Sequence, residues 1–373
     1  MSFLPFTRPC IDEETIQGVV EVLRGGWLAS GPQVLKFEAA LGEYLQGRPV
    51  RVMTSATAAL EIALCVAGVD RGSQVILPAM SFASTANVIV RVGAKPVFVD
   101  VDLDTRNIDI DQIERAITPA TRALLPVHFA GMPTDLDRLY DIARTAQLRV
   151  IEDAAHAIGS QWRGRKIGSF GDLVCFSFHP NKNMTTIEGG AIATADPAEL
   201  LAIERHRFHG ICKGDDAMDV VLPGGKANLS DVSARVGLGQ LPHLDRFNRK
   251  RGELASAYFA ALADTPGLRL PARGDSGHCW HMFAPLLCLD ELRIGRNDFI
   301  RLMGEHKIGV GVHYPALHLF SYYRGLGHRE GDFPNAEQIG RATVTLPLFP
   351  AMEFSDVERV SGCVHQILTR HRR

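Results

Sequence analysis

The sequence predicts an α/β protein: a large domain with a mostly parallel, seven-stranded sheet sandwiched by helices, then a smaller α+β C-terminal domain. Three observations carry this expectation. Between residues 50 and 195, short apolar runs alternate with stretches whose apolar residues recur at helical spacing. The runs are continuous rather than alternating, as strands covered on both faces require. At 373 residues the chain exceeds what one hydrophobic core ordinarily covers, so two domains are expected.

Taken in order, strands are expected at Val50–Met53, Gln74–Leu77, Pro96–Val99, Ala123–Val127, Arg149–Glu152, Leu173–Phe178 and Gly190–Thr194. The helices between them are Ala56–Val66, Ser81–Val92, Ile110–Ile117 and Asp135–Ala146. From Gln161, the stretch QWRGRKIGS reads as a small polar hairpin that makes the sheet mixed. A Gly/Asp-rich segment, Gly210–Gly225, reads as a mobile loop, and helical pattern resumes near Ser230 and runs through Tyr258. Beyond it the chain reads as a long helix, a strand at Met282–Leu289, a helix, a strand at Ile308–Val312 and a terminal helix. The domains are set at residues 1–244 and 245–373. No Pro/Ser-rich linker separates them, so they should pack together.

Composition narrows the function. A hydrophobic fraction of 46% excludes disorder as the dominant state. Forty basic against forty-two acidic side chains give no electrostatic reason to expect nucleic acid. The seven cysteines are scattered without a CxxC pair, which points to reduced thiols in a cytoplasmic protein rather than a zinc ribbon or disulfide framework. MSFLPFTRPCIDEE lacks the layout of a secretory signal. The uncharged stretch Gly72–Val90 is broken by Pro78 and several hydroxyls, so no membrane span is expected. None of the histidine pairs has supporting Cys or carboxylate residues, and no metal is expected.

Three motifs can carry chemistry. In LRVIEDAAHAIGS, Asp153 falls where a buried strand ends, and His156 lies on the same side of the following turn. In DLVCFSFHPNKNMTTIEGGAI, Lys182 sits on a short loop between two buried strands, with Ser177 at the end of the first. Desolvation there lowers an ammonium pKa, which imine formation with a carbonyl cofactor requires. In VMTSATAALEIAL, a strand ends at Met53 and small residues (Ala56, Thr57) open a helix whose free N–H groups can cradle a phosphate. Each has a plainer reading alone: a helix cap, a solvated loop lysine, an ordinary Ser/Thr cap. Together, in that chain order, they are the parts needed to hold pyridoxal 5′-phosphate.

At these residues the chain resembles the DegT-type sugar aminotransferases, pyridoxal-phosphate enzymes of the fold-type I class. The likeness spans nearly the whole chain. It includes GGWLASGP at 25–32, ILPAMSFASTANVI, VFVDVDLDT, PVHFAGMPTDLD, VIEDAAHAIGS, FSFHPNKNMTTIEGG, WHMF at 280–283, VHYPALHLFSYYR and LPLFP. The resemblance implies that Lys182 bonds to the cofactor as a Schiff base and Asp153 pairs with its pyridinium nitrogen. Ala56, Thr57 and Ser177 would hold the phosphate, Phe82 would lie on the ring, and His156 would sit near the phenolic oxygen. Asn228 would reach the phosphate of a neighbouring subunit, which implies a homodimer with shared sites. Trp27, Ser30, Lys226, His313 and Tyr314 would face substrate.

The implied reaction moves an amino group from L-glutamate to a nucleotide-linked keto-sugar, UDP-linked and 4-keto. Alternatives are a dehydratase or epimerase on the same cofactor, or a non-nucleotide keto substrate. Dehydratases of the family carry histidine in place of the lysine, so Lys182 favours amino transfer. Two departures stand out. In the stretch PGGKANL, the residues before Asn228 include Gly225 and Ala227 where the family usually has larger residues, which should loosen the acceptor pocket. Ile187 replaces the glycine of the common GEGG form.

Overall fold

The computed structural model describes residues 2–213, 217–274 and 277–373, and a seven-stranded sheet lies at its centre. The first strands are β1 (Val50–Met53), β2 (Gln74–Pro78), β3 (Lys95–Val99), β4 (Thr121–Leu124) and β5 (Arg149–Asp153). A short hairpin, β6 (Gln161–Trp162) and β7 (Arg165–Lys166), precedes β8 (Leu173–Ser177) and β9 (Gly190–Thr194). In space the order is β1-β9-β8-β5-β4-β2-β3.

Neighbouring strands from β8 to β3 are parallel, whereas β9 runs antiparallel to both β8 and β1. The sheet is therefore mixed, but not for the expected reason. The hairpin at Gln161 pairs only with itself, and its polar, partly exposed residues are unsuited to a sheet buried on both faces. The reversal of β9 brings its first residue, Gly190, opposite both Ser177 and Met53. One edge of the sheet thus gathers the carboxyl ends of β1, β5 and β8, the usual ligand side of an open α/β sheet.

Strand periodicity divides the core. Met53, Leu77, Ile151, Cys175 and Ile192 pack on one face with α3 (Ala56–Val66) and α4 (Ala83–Arg91). Val52, Ile76, Val150, Val174 and Ala191 pack on the other. That face is covered by α2 (Pro32–Tyr44), α5 (Ile110–Ala116) and α6 (Leu136–Thr145), while α1 (Glu13–Gly25) is the first helix of the chain. One-residue alternation between two buried faces explains why these strands read as unbroken apolar runs.

After β9 come α7 (Pro197–Arg207), then β10 (Ile211–Lys213) paired with β11 (Met218–Val220). The expected loop Gly210–Gly225 is therefore largely a hairpin; its residues 214–216 lie outside those described. Two helices, α8 (Asp231–Gln240) and α9 (Leu244–Leu262), follow, separated by a 3-10 turn at Pro242. A third core joins Leu254, Tyr258, Phe259, Phe283, Phe299 and Val360 to Leu4 from the chain's beginning. The expected strand Met282–Leu289 shrinks to Leu286–Leu287, because Pro285 offers no N–H to a ladder. Ile308–Val312, with glycines at 309 and 311, makes only isolated bridges, Leu4 to Ile308 and Gly311 to Thr345.

Candidate active site

The end of β1 turns directly into α3. Ser55 caps the helix, its hydroxyl accepting the Ala58 N–H at 3.1 Å, and Ala56 and Thr57 form the first turn. First-turn N–H groups have no partner within a helix, and the dipole there favours an anion. A Cβ built on Gly190 would lie 2.4 Å from the Ser55 carbonyl carbon and 2.5 Å from the Ala56 nitrogen. Glycine at the start of β9 is thus what lets the β1–α3 turn sit against the sheet edge.

Asp153 ends β5 and is buried. One carboxylate oxygen, Oδ2, accepts the Thr85 hydroxyl at 2.8 Å, and Oδ1 accepts the Ala155 N–H at 3.2 Å. The Thr85 hydroxyl also meets Ser81 Oγ at 2.8 Å. Burial pushes the Asp153 carboxyl above its ordinary value, while the Thr85 and Ala155 bonds and the charge of Lys182 oppose that shift. A desolvated carboxylate with this hydrogen-bond support is suited to a cationic ring nitrogen. Thr85 and Ser81 were not anticipated from sequence; the hydroxyls of MSFAST, just after β2, were the available signal.

Lys182 lies on the loop from β8 to β9, its N–H bonded to the His179 carbonyl at 2.8 Å. Burial brings its amine down to about 8, with Asp153 opposing. An amine titrating there is still mainly protonated near physiological pH, but its neutral fraction is far larger than that of an ordinary lysine. His156 is also buried and held neutral, first by desolvation and then by Lys182 and His313. Tyr314 Oη lies 3.2 Å from His156 Nε2, and the His281 ring stacks on His156 at 4.5 Å. The remaining ring nitrogen, His156 Nδ1, is buried without a hydrogen-bond partner.

These groups surround one cavity of about 330 Å³, within the range of about 300–1,000 Å³ usual for small-ligand sites. Of the anticipated residues, Ala56, Thr57, Phe82, Asp153, His156, Ser177, Lys182, His313 and Tyr314 line it. Phe82 is 58% exposed, with its ring 6.0 Å from that of Tyr314. His313 Nδ1 lies 2.7 Å from Thr345 Oγ1, and burial brings its imidazole down to about 4.

Four anticipated residues do not line the cavity. Trp27, Ser30, Lys226 and Asn228 form their own polar cluster. Trp27 Nε1 donates to the Ser30 carbonyl at 3.3 Å, Asn228 Nδ2 donates to Ser30 Oγ, and Lys226 Nζ donates to Asn228 Oδ1. The cluster abuts the cavity's edge through the backbone, where Asn228 bridges Met53 and the Thr54 N–H reaches the Ala227 carbonyl at 2.8 Å. Ala227 is itself buried in the core, so its small side chain is matched by packing within this chain. Among the described residues, no group of three or more His, Cys, Asp or Glu side chains is placed to hold a metal.

A phosphate cradle, a strand-end carboxylate and a low-pKa lysine around one cavity, on this sheet, define an aminotransferase that uses pyridoxal 5′-phosphate. The residues fit that group: the cavity is of small-ligand size, Gly190 lets the first turn of α3 sit against the sheet edge at the cavity, and His156 Nδ1 is buried without a partner. The chain belongs to the DegT/DnrJ/EryC1/StrS aminotransferase family, whose sequence profile matches residues 9–365. It is 40% identical to the UDP-4-amino-4-deoxy-L-arabinose–oxoglutarate aminotransferase of Shewanella sediminis (strain HAW-EB3), over 98% of each chain. It is also 40% identical to the spore coat polysaccharide biosynthesis protein SpsC of Bacillus subtilis (strain 168), over 98% of this chain and 97% of SpsC. The PLP-form of Spr1654 from Streptococcus pneumoniae superposes with a TM-score of 0.93 at 31% identity, covering 99% of both chains.

Proposed function

We propose that this sugar aminotransferase moves an amino group from L-glutamate to the keto group of a nucleotide-linked sugar, with a UDP-linked 4-keto sugar as acceptor. Support for the acceptor comes from the Shewanella relative, whose name specifies a UDP-linked amino sugar. The observation that carries the chemistry is the Lys182 amine, held to about 8 in the cavity that Asp153 also lines.

Pyridoxal 5′-phosphate supplies, when bound, an aldehyde that takes up the amino group and a ring that accepts electrons. The first turn of α3 (Ala56, Thr57) and Ser177 bind the phosphate. Asp153, braced by Thr85 and Ala155, keeps a proton on the ring nitrogen. Phe82 and His156 pack beside the ring, with Tyr314 fixing the plane of His156. Lys182 would take the proton from the donor's Cα and deliver it to the cofactor's former aldehyde carbon on the far side of the shared nitrogen, a transfer best served by a pKa near the working pH. His313 and Tyr314 face the acceptor.

In this reading the protein is a cytoplasmic homodimer. Asn228, with Ser30, Lys226 and Trp27, completes the neighbouring subunit's site. Residues 1–244 carry the cofactor and 245–373 close over it. Among the described residues no helix is long and apolar enough to cross a membrane.

The test is a two-stage assay. Holoenzyme given glutamate should release 2-oxoglutarate, and the aminated form should then regain its original absorbance with a UDP-linked 4-keto sugar. Failure with every nucleotide-linked keto-sugar, alongside success with a free keto-sugar, would overturn the acceptor assignment.

A further inference from the structure

The residue after the lysine is held more firmly than the lysine itself. Asn183 is buried, and its side chain closes four contacts. Nδ2 donates to Asn248 Oδ1 at 2.7 Å and to the Cys279 carbonyl at 3.1 Å, and it lies 3.3 Å from Cys279 Sγ. Oδ1 lies 3.0 Å from His281 Nδ1. Because both amide hydrogens are committed, Oδ1 can only accept, which assigns the His281 proton to Nδ1.

The same partners turn back to the segment that carries His156. Cys279 Sγ donates to the His156 carbonyl at 3.2 Å, and Asn248 Nδ2 donates to the Ile158 carbonyl at 3.1 Å. The His281 ring stacks on His156 at 4.5 Å with 28° between planes. Behind it, Arg251 Nη1 donates to the His281 carbonyl at 3.2 Å. The network joins α9 and residues 279–281 to the lysine loop and the turn after β5.

Resting on the reading of Lys182 as the proton-transferring amine, we propose that Asn183 and His281 are positioning residues whose hydrogen bond fixes the root of the Lys182 side chain against the turn that carries His156, as one unit. Proton transfer is sensitive to reach: a displacement of about 1 Å costs on the order of a hundredfold in rate. A lysine tethered by so flexible a stem gains its precision from a clamped backbone. The charged or titratable groups facing this unit are His156, His313, Arg251, Asp153, the Cys279 thiol and Lys182 itself. None is a carboxylate on His281, so its link to Asn183 is a neutral hydrogen bond.

Three variants of the holoenzyme test this. Asn183→Ala removes the clamp, His281→Phe keeps a stacked ring without the N–H, and His281→Asn keeps an N–H donor at that place without the ring. Asn183→Ala and His281→Phe should lower kcat by roughly 10- to 100-fold, with KM for glutamate within about twofold. In both, the midpoints of the pH–rate profile and of the cofactor absorbance titration should move upward, the first as the Lys182 amine freed in turnover, and the second as its cofactor-bonded nitrogen, escape their desolvated place. His281→Asn should keep kcat within about threefold and leave the midpoints in place, since it restores the donor. Wild-type kcat and midpoints in folded, cofactor-replete His281→Phe would overturn the proposal, as would His281→Asn failing as badly as His281→Phe. The histidine pair keeps the test decisive should Asn183→Ala not fold. Lys182→Ala run alongside separates the two claims: retained turnover there would sink the reading of Lys182, whatever the clamp variants do.

Discussion

The cavity at the sheet edge and the patch around Asn228 treat their polar groups in opposite ways. In the cavity, Asp153, His156 and Lys182 are held with shifted proton affinities, and one ring nitrogen is left without a partner. In the patch, Trp27 is 62% exposed and Ser30, Lys226 and Asn228 satisfy one another. The first arrangement keeps proton affinities displaced by burial; the second satisfies its polar groups within one chain. Perturbed proton affinities concentrated in one place are what a cofactor site should show, and mutually satisfied polar groups in the other carry no such mark.

The comparison can be broken at either end. Asp153→Asn removes the charge while keeping the shape, and turnover should fall by about three orders of magnitude, roughly 4 kcal/mol. Thr85→Val, which leaves Asp153 one hydrogen bond short, should cost roughly tenfold. Steady-state rates with glutamate as donor check both.

Acid should strike the same region. His156, His278 and His281 are buried and held neutral below the ordinary histidine range by desolvation, His278 at about 3. The unfolded chain therefore binds more protons than the folded one below about pH 6.5. Stability is full above that pH and falls as pH drops, by up to about 1.4 kcal/mol per pH unit for each histidine. Urea midpoints at pH 7 and 5.5 should show the loss, and His281→Phe should reduce it.

At the patch, Ser30→Ala and Asn228→Ala should leave the chain's stability within about 0.5 kcal/mol. Cofactor dissociation should nonetheless rise about tenfold, the weight of one hydrogen bond to a charged group. Unchanged cofactor affinity would mean that the cavity is complete within one chain. The smallest effect is expected at Ile187, a β-branched residue at φ 73° beside the cavity. The Thr185 hydroxyl accepts its N–H at 2.9 Å and holds the conformation. Left-handed backbone costs such a residue about 1–2 kcal/mol, part of which glycine returns through its freer unfolded chain. Ile187→Gly should therefore raise stability by up to about 1 kcal/mol in urea unfolding.

Legibility in the sequence followed the range of the interaction. Asp153, Ala56 and Lys182 were readable because strand ends and loops are local, and their chemistry follows from where a strand stops. The seven strands were readable because both faces of each are buried. The direction of β9 was not, since GAIAT, covered on both sides, carries no mark of orientation. Asn183 and His281 were missed because their hydrogen bond joins residues 98 apart in sequence, and nothing near either residue announces the other. The C-terminal strands failed at Pro285 and at glycines 309 and 311, where apolar content outvoted backbone chemistry.

One measurement bears most directly on the whole account: borohydride reduction of the holoenzyme, followed by peptide mass spectrometry. On the proposed role of Lys182, the pyridoxyl mass is expected on the peptide carrying it, at close to one per chain. A mass found on another lysine, or on none in protein saturated with cofactor, would contradict it.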